Sequence, residues 1–153
     1  MNENDAEFVD TIHTETESFG SRDTVGTVSF WVNGGQIQPM CRSIIPISEL
    51  KLTIIISKYI FLFLLVAQTC SHLMAPKFWI ETIKSPDDYV FPAKQCKNFE
   101  EFRRNHCNNS IPLGNMGIFA SNELEGRYYL STNLQSPYSR NITAIRHHSM
   151  RHL

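Results

Sequence analysis

Charge is scarce in this chain. Only 19% of its 153 residues are Asp, Glu, Lys or Arg, and 14 basic against 15 acidic side chains leave a formal net charge of -1. A solvated disordered polymer carries more charge and fewer apolar residues than this, and a nucleic-acid binder needs a basic field that the composition does not supply. Other absences narrow the field further. None of Cys41, Cys70, Cys96 and Cys107 forms a C-x-x-C pair, which weakens the zinc and thioredoxin-type redox readings. The opening residues, MNENDAEFVD, hold no apolar core of a secretory signal. No internal repeat is visible. The length suffices for one domain with its own core and is short for two.

Apolar residues make up 42% of the chain. Four cysteines at wide spacing suit two disulfides, hence an oxidising compartment. Two N-glycosylation sequons, Asn108-Asn109-Ser110 and Asn141-Ile142-Thr143, agree with that, making Asn108 and Asn141 candidate glycan sites. A secreted protein whose chain carries no secretion signal is expected to have a front that this sequence does not include.

Local pattern predicts a short, mostly buried strand over 6–14 and a second over 27–32, closed by Asn33-Gly34-Gly35, which tolerate positive φ. Residues 15–25 and 36–50 read as loops. Residues 71–84 read as a helix capped by Ser71, with Phe78, Trp79 and Ile83 as its apolar stripe and Pro76 early enough to be tolerated. A loop containing Pro86 and Pro92 follows, then a charged helix or turn at 97–106 and a last strand at 127–132. After Pro137 the chain holds three Arg, three His (His147, His148, His152) and no acid, and is expected to be a disordered tail over 136–153.

Three blocks then stand out. Residues 5–14 read Asp-Ala-Glu-Phe-Val-Asp-Thr-Ile-His-Thr. Residues 26–35 read Gly-Thr-Val-Ser-Phe-Trp-Val-Asn-Gly-Gly and are followed by Gln38, Pro39 and Cys41. Residues 70–83 read Cys-Ser-His-Leu-Met-Ala-Pro-Lys-Phe-Trp-Ile-Glu-Thr-Ile. In order and in cysteine spacing these resemble the pancreatic-lipase-like family of α/β-hydrolases, which includes secreted lipases and phospholipases A1. The resemblance covers about residues 2–135, with Thr27, Ser29 and Met74 departing from the usual His, Asp and Arg.

The resemblance implies an α/β fold: the C-terminal portion of an α/β-hydrolase sheet with a flanking helix and a lid loop, over residues 1–135. It implies that His72 is the base of a Ser-Asp-His triad, acting on lipid esters. A serine hydroxyl is a poor nucleophile at neutral pH, and an imidazole with an ordinary pKa near 6.5 can take its proton and return it to the leaving alcohol. In such folds the serine and acid precede the histidine. No G-x-S-x-G occurs here, and Asp10 falls on a strand expected to be structural, so both partners are expected upstream and this polypeptide alone is expected to be inactive. The resemblance further implies disulfides Cys41–Cys70 and Cys96–Cys107, an extracellular setting and a lipid ester or lipid interface as partner, with neither nucleic acid nor a stable membrane span. The reaction requires no cofactor. Asp5 and Asn2 fall where some members ligate calcium, with a solvated loop acid as the equal alternative. Relatives such as yolk proteins imply a rival function: lipid binding or storage without catalysis.

Residues 52–67 (LTIIISKYIFLFLLVA) are unexpected inside a lid loop at 42–69. They suit a lid that touches lipid, or a span, although about 20 apolar residues are needed to cross a bilayer and Lys58 interrupts them. The favoured reading is translated intron, because a run of Phe, Leu and Ile codons ahead of Ala67-Gln68 resembles a pyrimidine tract before a splice acceptor.

Overall fold

The computed structural model describes residues 4–42, 53–84, 90–108, 110–111 and 113–140. Strands β1 (Asp10–His13) and β2 (Val28–Val32) come first. Helices α1 (Thr53–His72) and α2 (Met74–Lys84) follow, then β3 (Phe91–Gln95), α3 (Phe99–Arg103), β4 (Gly114–Met116) and β5 (Gly126–Leu130). The five strands form one mixed sheet in the order β1-β2-β5-β3-β4. β1, β2 and β5 run parallel, and β3 is antiparallel to both of its neighbours. This is the partial α/β architecture that the sequence predicts.

Every residue of β2 is buried, as expected for a parallel strand covered on both faces, while β1 alternates between half-buried and buried. Thr27 stitches the two strands at their start. Its N–H donates to the Val9 carbonyl (2.7 Å), and its hydroxyl accepts from the Val9 N–H (3.2 Å). At the far end of β2, Gly34 and Gly35 adopt φ of 82° and 66°. A Cβ on Gly34 would also fall 2.6 Å from the Phe99 ring. The core gathers Val28, Phe30 and Val32 from β2, Tyr128 and Leu130 from β5, Phe91, Ala93 and Met116 from the β3–β4 pair, and Met74 and Phe78 from α2.

The structure corrects several expectations. Residues 53–67, given no secondary structure by the sequence reading, form α1, which runs unbroken into His72. Ser71 is therefore no N-cap. It lies inside α1, where its hydroxyl donates to the Ala67 carbonyl at 2.7 Å. The break falls at Leu73, and Pro76 explains it. A continuous helix would need the residue-76 N–H to reach the His72 carbonyl, and proline has no N–H and a ring that clashes there. The buried face of α2 is Met74, Phe78, Glu81 and Thr82, while Trp79 and Ile83 are exposed. Pro92 lies in β3 rather than a loop. At Phe91–Ala93 that strand pairs with β4, and only Lys94 and Gln95 pair with β5, so Pro92 sits where a missing donor is tolerated.

Residues 136–140 are held against α2 instead of starting a disordered tail. The Glu81 carboxylate accepts from the Ser139 N–H (2.9 Å) and the Ser136 hydroxyl (3.0 Å). Residues 141–153, with Asn141 and the three tail histidines, lie outside the described residues.

Both implied disulfides are formed, Cys41–Cys70 across 29 positions and Cys96–Cys107 across 11. Counted across its break, the segment Ile60–Lys84 is long and apolar enough to cross a membrane by length and composition alone. Its α2 half packs on the sheet through Met74 and Phe78.

Candidate active site

His72 is the last residue of α1 and stands beyond the C-terminal end of β1, against Thr14. In open α/β sheets this is the side on which ligands bind. The His72 carbonyl freed by Pro76 accepts from the Thr14 hydroxyl at 3.5 Å. Its imidazole is exposed, meets the Phe19 ring at a centroid distance of 5.6 Å, and makes no hydrogen bond among the described residues. A cleft of roughly 410 Å³ opens beside it along the free edge of β1, walled by Asp10, Ile12, Ser21, Ala75 and Trp79 as well as His72.

One side chain of the second block, given no role by the sequence alone, organises this end of the sheet. Gln38 is fully buried. Its amide nitrogen is directed at the carbonyls of Thr14 (2.8 Å), Val32 (2.9 Å) and Gln36 (3.0 Å), and its carbonyl accepts from Asn33 (2.7 Å). The Gln38 backbone N–H donates to the Ser71 hydroxyl at 2.8 Å. Asn33 in turn donates to the Thr132 hydroxyl at 2.9 Å, tying β5 to the same cluster. The turns after β1, β2 and β5 are thereby locked to the end of α1. Glu15 shapes the adjoining loop: its buried carboxylate accepts from the N–H groups of Glu17 (2.7 Å), Ser18 (3.0 Å) and Phe19 (2.8 Å), which sets Phe19 beside His72.

His13 is buried and stacked on Trp31 with ring centroids 4.4 Å apart. Its Nε2 lies 3.2 Å from the Thr11 hydroxyl and its Nδ1 3.2 Å from the Ser21 carbonyl. Burial pushes its pKa below the usual 6.5; the Ser21 carbonyl opposes that and Arg127 adds to it. Burial likewise raises Asp10 above the ordinary carboxylate value. The departures from the family pattern have structural roles. Ser29 donates to the Val25 carbonyl (3.0 Å) and bonds Thr11 (2.8 Å), while Met74 is core.

Among the described residues no group of three or more His, Cys, Asp or Glu could hold a metal ion. Asp5 is exposed, and Asn2 lies outside the described residues. The described residues thus offer a calcium ion no assembled carboxylate set, which is the donor type that ion prefers.

A parallel β1-β2-β5 core, with an imidazole delivered to its C-terminal edge by a disulfide-braced helix, defines part of an α/β domain with a cleft along the β1 edge. The chain belongs to the pancreatic-lipase-like family: the Lipase family model matches residues 1–138. It is 32% identical over 154 residues to the pancreatic triacylglycerol lipase of Myocastor coypus, covering 92% of this chain and 32% of that protein. It is 33% identical over 103 residues to phospholipase A1 member A of Bos taurus, covering 67% and 19%. It is also 28% identical over 141 residues to vitellogenin-1 of Ceratitis capitata, covering 92% and 26%. The chain therefore spans about a third or less of the curated relatives it matches.

Proposed function

We propose that this chain is the histidine-bearing portion of an extracellular carboxylic ester hydrolase acting on triacylglycerol or phospholipid esters. The observation that carries the reading is the exposed imidazole of His72, fixed through its backbone and making no hydrogen bond to any described residue, on the rim of a cleft along the β1 edge. An imidazole so placed can accept the proton of a serine hydroxyl as that oxygen attacks an ester carbonyl, and then protonate the departing alcohol. A carboxylate bonded to the other ring nitrogen would hold the tautomer and stabilise the imidazolium. Serine and carboxylate would come from the remainder of the parent domain. No step is assigned to calcium.

The test is a full-length parent gene product assayed on a p-nitrophenyl ester, a triacylglycerol emulsion and phosphatidylcholine vesicles. Turnover that falls about a millionfold in His72→Ala, the order of loss seen on removing a triad histidine, supports the hydrolase. The 153-residue chain alone is expected to show no turnover. A second reading, a lipid-binding or storage protein without catalysis, draws on the vitellogenin similarity and on Thr27, Ser29 and Met74. A parent sequence lacking both a G-x-S-x-G and a following Asp motif, and inert on all three esters, would establish that reading instead.

A further inference from the structure

We infer that Thr14, Gln38 and Ser71 are positioning residues for His72, an inference that rests on reading His72 as the base. The hydrogen bonds close a ring. The Thr14 hydroxyl donates to the His72 carbonyl (3.5 Å), the Gln38 side chain donates to the Thr14 carbonyl (2.8 Å), and the Gln38 backbone N–H donates to the Ser71 hydroxyl (2.8 Å). Ser71 is covalently next to His72. Its hydroxyl is used twice, accepting from Gln38 and donating to Ala67, so it has no donor left to swing elsewhere. The disulfide from Cys41 to Cys70 runs beside the Gln38–Ser71 bond. Three consecutive residues at the end of α1 are thus anchored to the segment 38–41 and to the turn after β1: residue 70 covalently, residue 71 through its side chain and residue 72 through its main chain.

The arrangement stabilises the fold, and it also fixes the backbone of an exposed residue. Helix ends fray, and the carbonyls of a last turn are satisfied by side chains, water or tighter turns alike. Here the backbone under an exposed imidazole is pinned from three sides while the ring nitrogens stay open toward the cleft. A general base gains from that combination, because a small misplacement of a reacting group can cost about a hundredfold in rate. Gln38 fits the same logic. It is fully buried, spends its amide on three carbonyls, and ties the β1 and β2 turns to the helix that carries the base.

The experiment has two arms. In the first, the 153-residue chain is labelled at histidine and its imidazole resonances are followed by NMR, with the exposed His106 as internal reference. Wild type and Thr14→Ser are expected to give one sharp set for His72, whereas Thr14→Val and Ser71→Ala split or broaden it and leave His106 unchanged. Thr14→Val removes a single hydroxyl at constant shape, so it keeps the test decisive if Ser71→Ala misfolds. In the second arm the same substitutions enter the full-length parent. Thr14→Val is expected to lower kcat about tenfold to a hundredfold with KM within twofold, and Thr14→Ser to restore it. Unchanged His72 resonances in both variants, with unchanged kcat, would overturn the positioning role and leave the hydrolase reading standing. A parent inert toward every ester would defeat the hydrolase reading, while the first arm still decides whether the ring holds His72.

Discussion

Glu81 supplies the most direct test of how the final segment is held. It lies on the buried face of α2 with 6% of its surface exposed, and its two carboxylate oxygens accept from the Ser139 N–H and the Ser136 hydroxyl, 58 and 55 positions away. A hydrogen bond to a charged group contributes about 1.5–3 kcal/mol, and a buried donor left without a partner costs about 1–3 kcal/mol. Glu81→Ala removes both acceptors and leaves the Ser139 N–H buried, so the expected loss is about 2–4 kcal/mol. Glu81→Gln keeps one oxygen for Ser139 and offers an N–H₂ that the Ser136 hydroxyl can turn to accept, so about 1 kcal/mol is expected. Urea unfolding measures the difference, and amide exchange locates it. Ser139 should lose protection in Glu81→Ala and keep most of it in Glu81→Gln, while Phe30, in the centre of the sheet, should change only by the global amount. A Glu81→Ala variant within about 0.5 kcal/mol of wild type, the range of neutral surface changes, would mean that 136–140 contributes nothing to the folded state.

Three further outcomes follow from particular side chains. Burial holds His13 below the usual 6.5, so the unfolded chain takes up the proton first as pH falls. Stability should sit on a plateau above about pH 6.5 and decline below it toward the depressed folded value; His13→Gln should flatten that slope in urea midpoints, and equal slopes would refute the assignment. Reducing or replacing the Cys41–Cys70 bridge, which spans 29 positions, should cost about 3–4 kcal/mol if its main effect is on the unfolded chain, and a midpoint shift under 1 kcal/mol, read on Cys41→Ser with Cys70→Ser, would contradict that. Asn108 is exposed, and its side-chain oxygen accepts from the Ser110 N–H at 2.9 Å. On secretion from a eukaryotic cell Asn108→Gln should lose one glycosidase-sensitive mass step, and an unchanged ladder would exclude the site.

How much of this was legible in the sequence depended on how local each cause is. β2 announced itself through five β-formers among the six residues 27–32, and Asn33-Gly34-Gly35 through backbone freedom that few other residues offer. His72 was legible because its neighbours on the chain, Cys70 and Ser71, carry the family pattern. Glu81 was not: amphipathic reasoning sends an acid to the wet face of a helix, and only two donors from 55 or more positions away reverse that. The stripe on α2 was misjudged for the same reason. Of the expected Phe78, Trp79 and Ile83, Phe78 is buried, but the helix starts at Met74 and its 74, 78, 82 row faces the sheet, leaving Trp79 and Ile83 exposed. β3 was hidden by Pro92, which reads as a loop signal until the one-sided pairing at Phe91–Ala93 is known. Gln38 was visible as part of the second block, but its role was not, because most of its side-chain partners are backbone carbonyls.

The sharpest boundary in the molecule lies inside α1. Ile60, Phe61, Leu62, Leu64 and Leu65 are exposed, Phe61 at 70%, and they point to more than one side of the helix. From Ala67, fully buried, the same helix packs down, bonds through Ser71 and closes the disulfide at Cys70. The change from unpartnered to packed chain thus falls where the family pattern resumes in the sequence. If residues 60–65 make no contribution to the fold, replacing Phe61, Leu62 and Leu65 by Gln should change stability by less than about 0.5 kcal/mol per site, since Gln and Leu have similar helix propensity. It should also raise the temperature at which light scattering begins, by removing apolar surface. Ala67→Leu, by contrast, forces a larger side chain into filled space and should cost about 1–3 kcal/mol. A loss above about 2 kcal/mol in the Gln variants would show that this face is covered in the folded protein. That result would also count against translated intron as the origin of the run, a question that sequencing the transcript across codons 45–70 decides independently: a spliced message that still encodes the run makes it native protein.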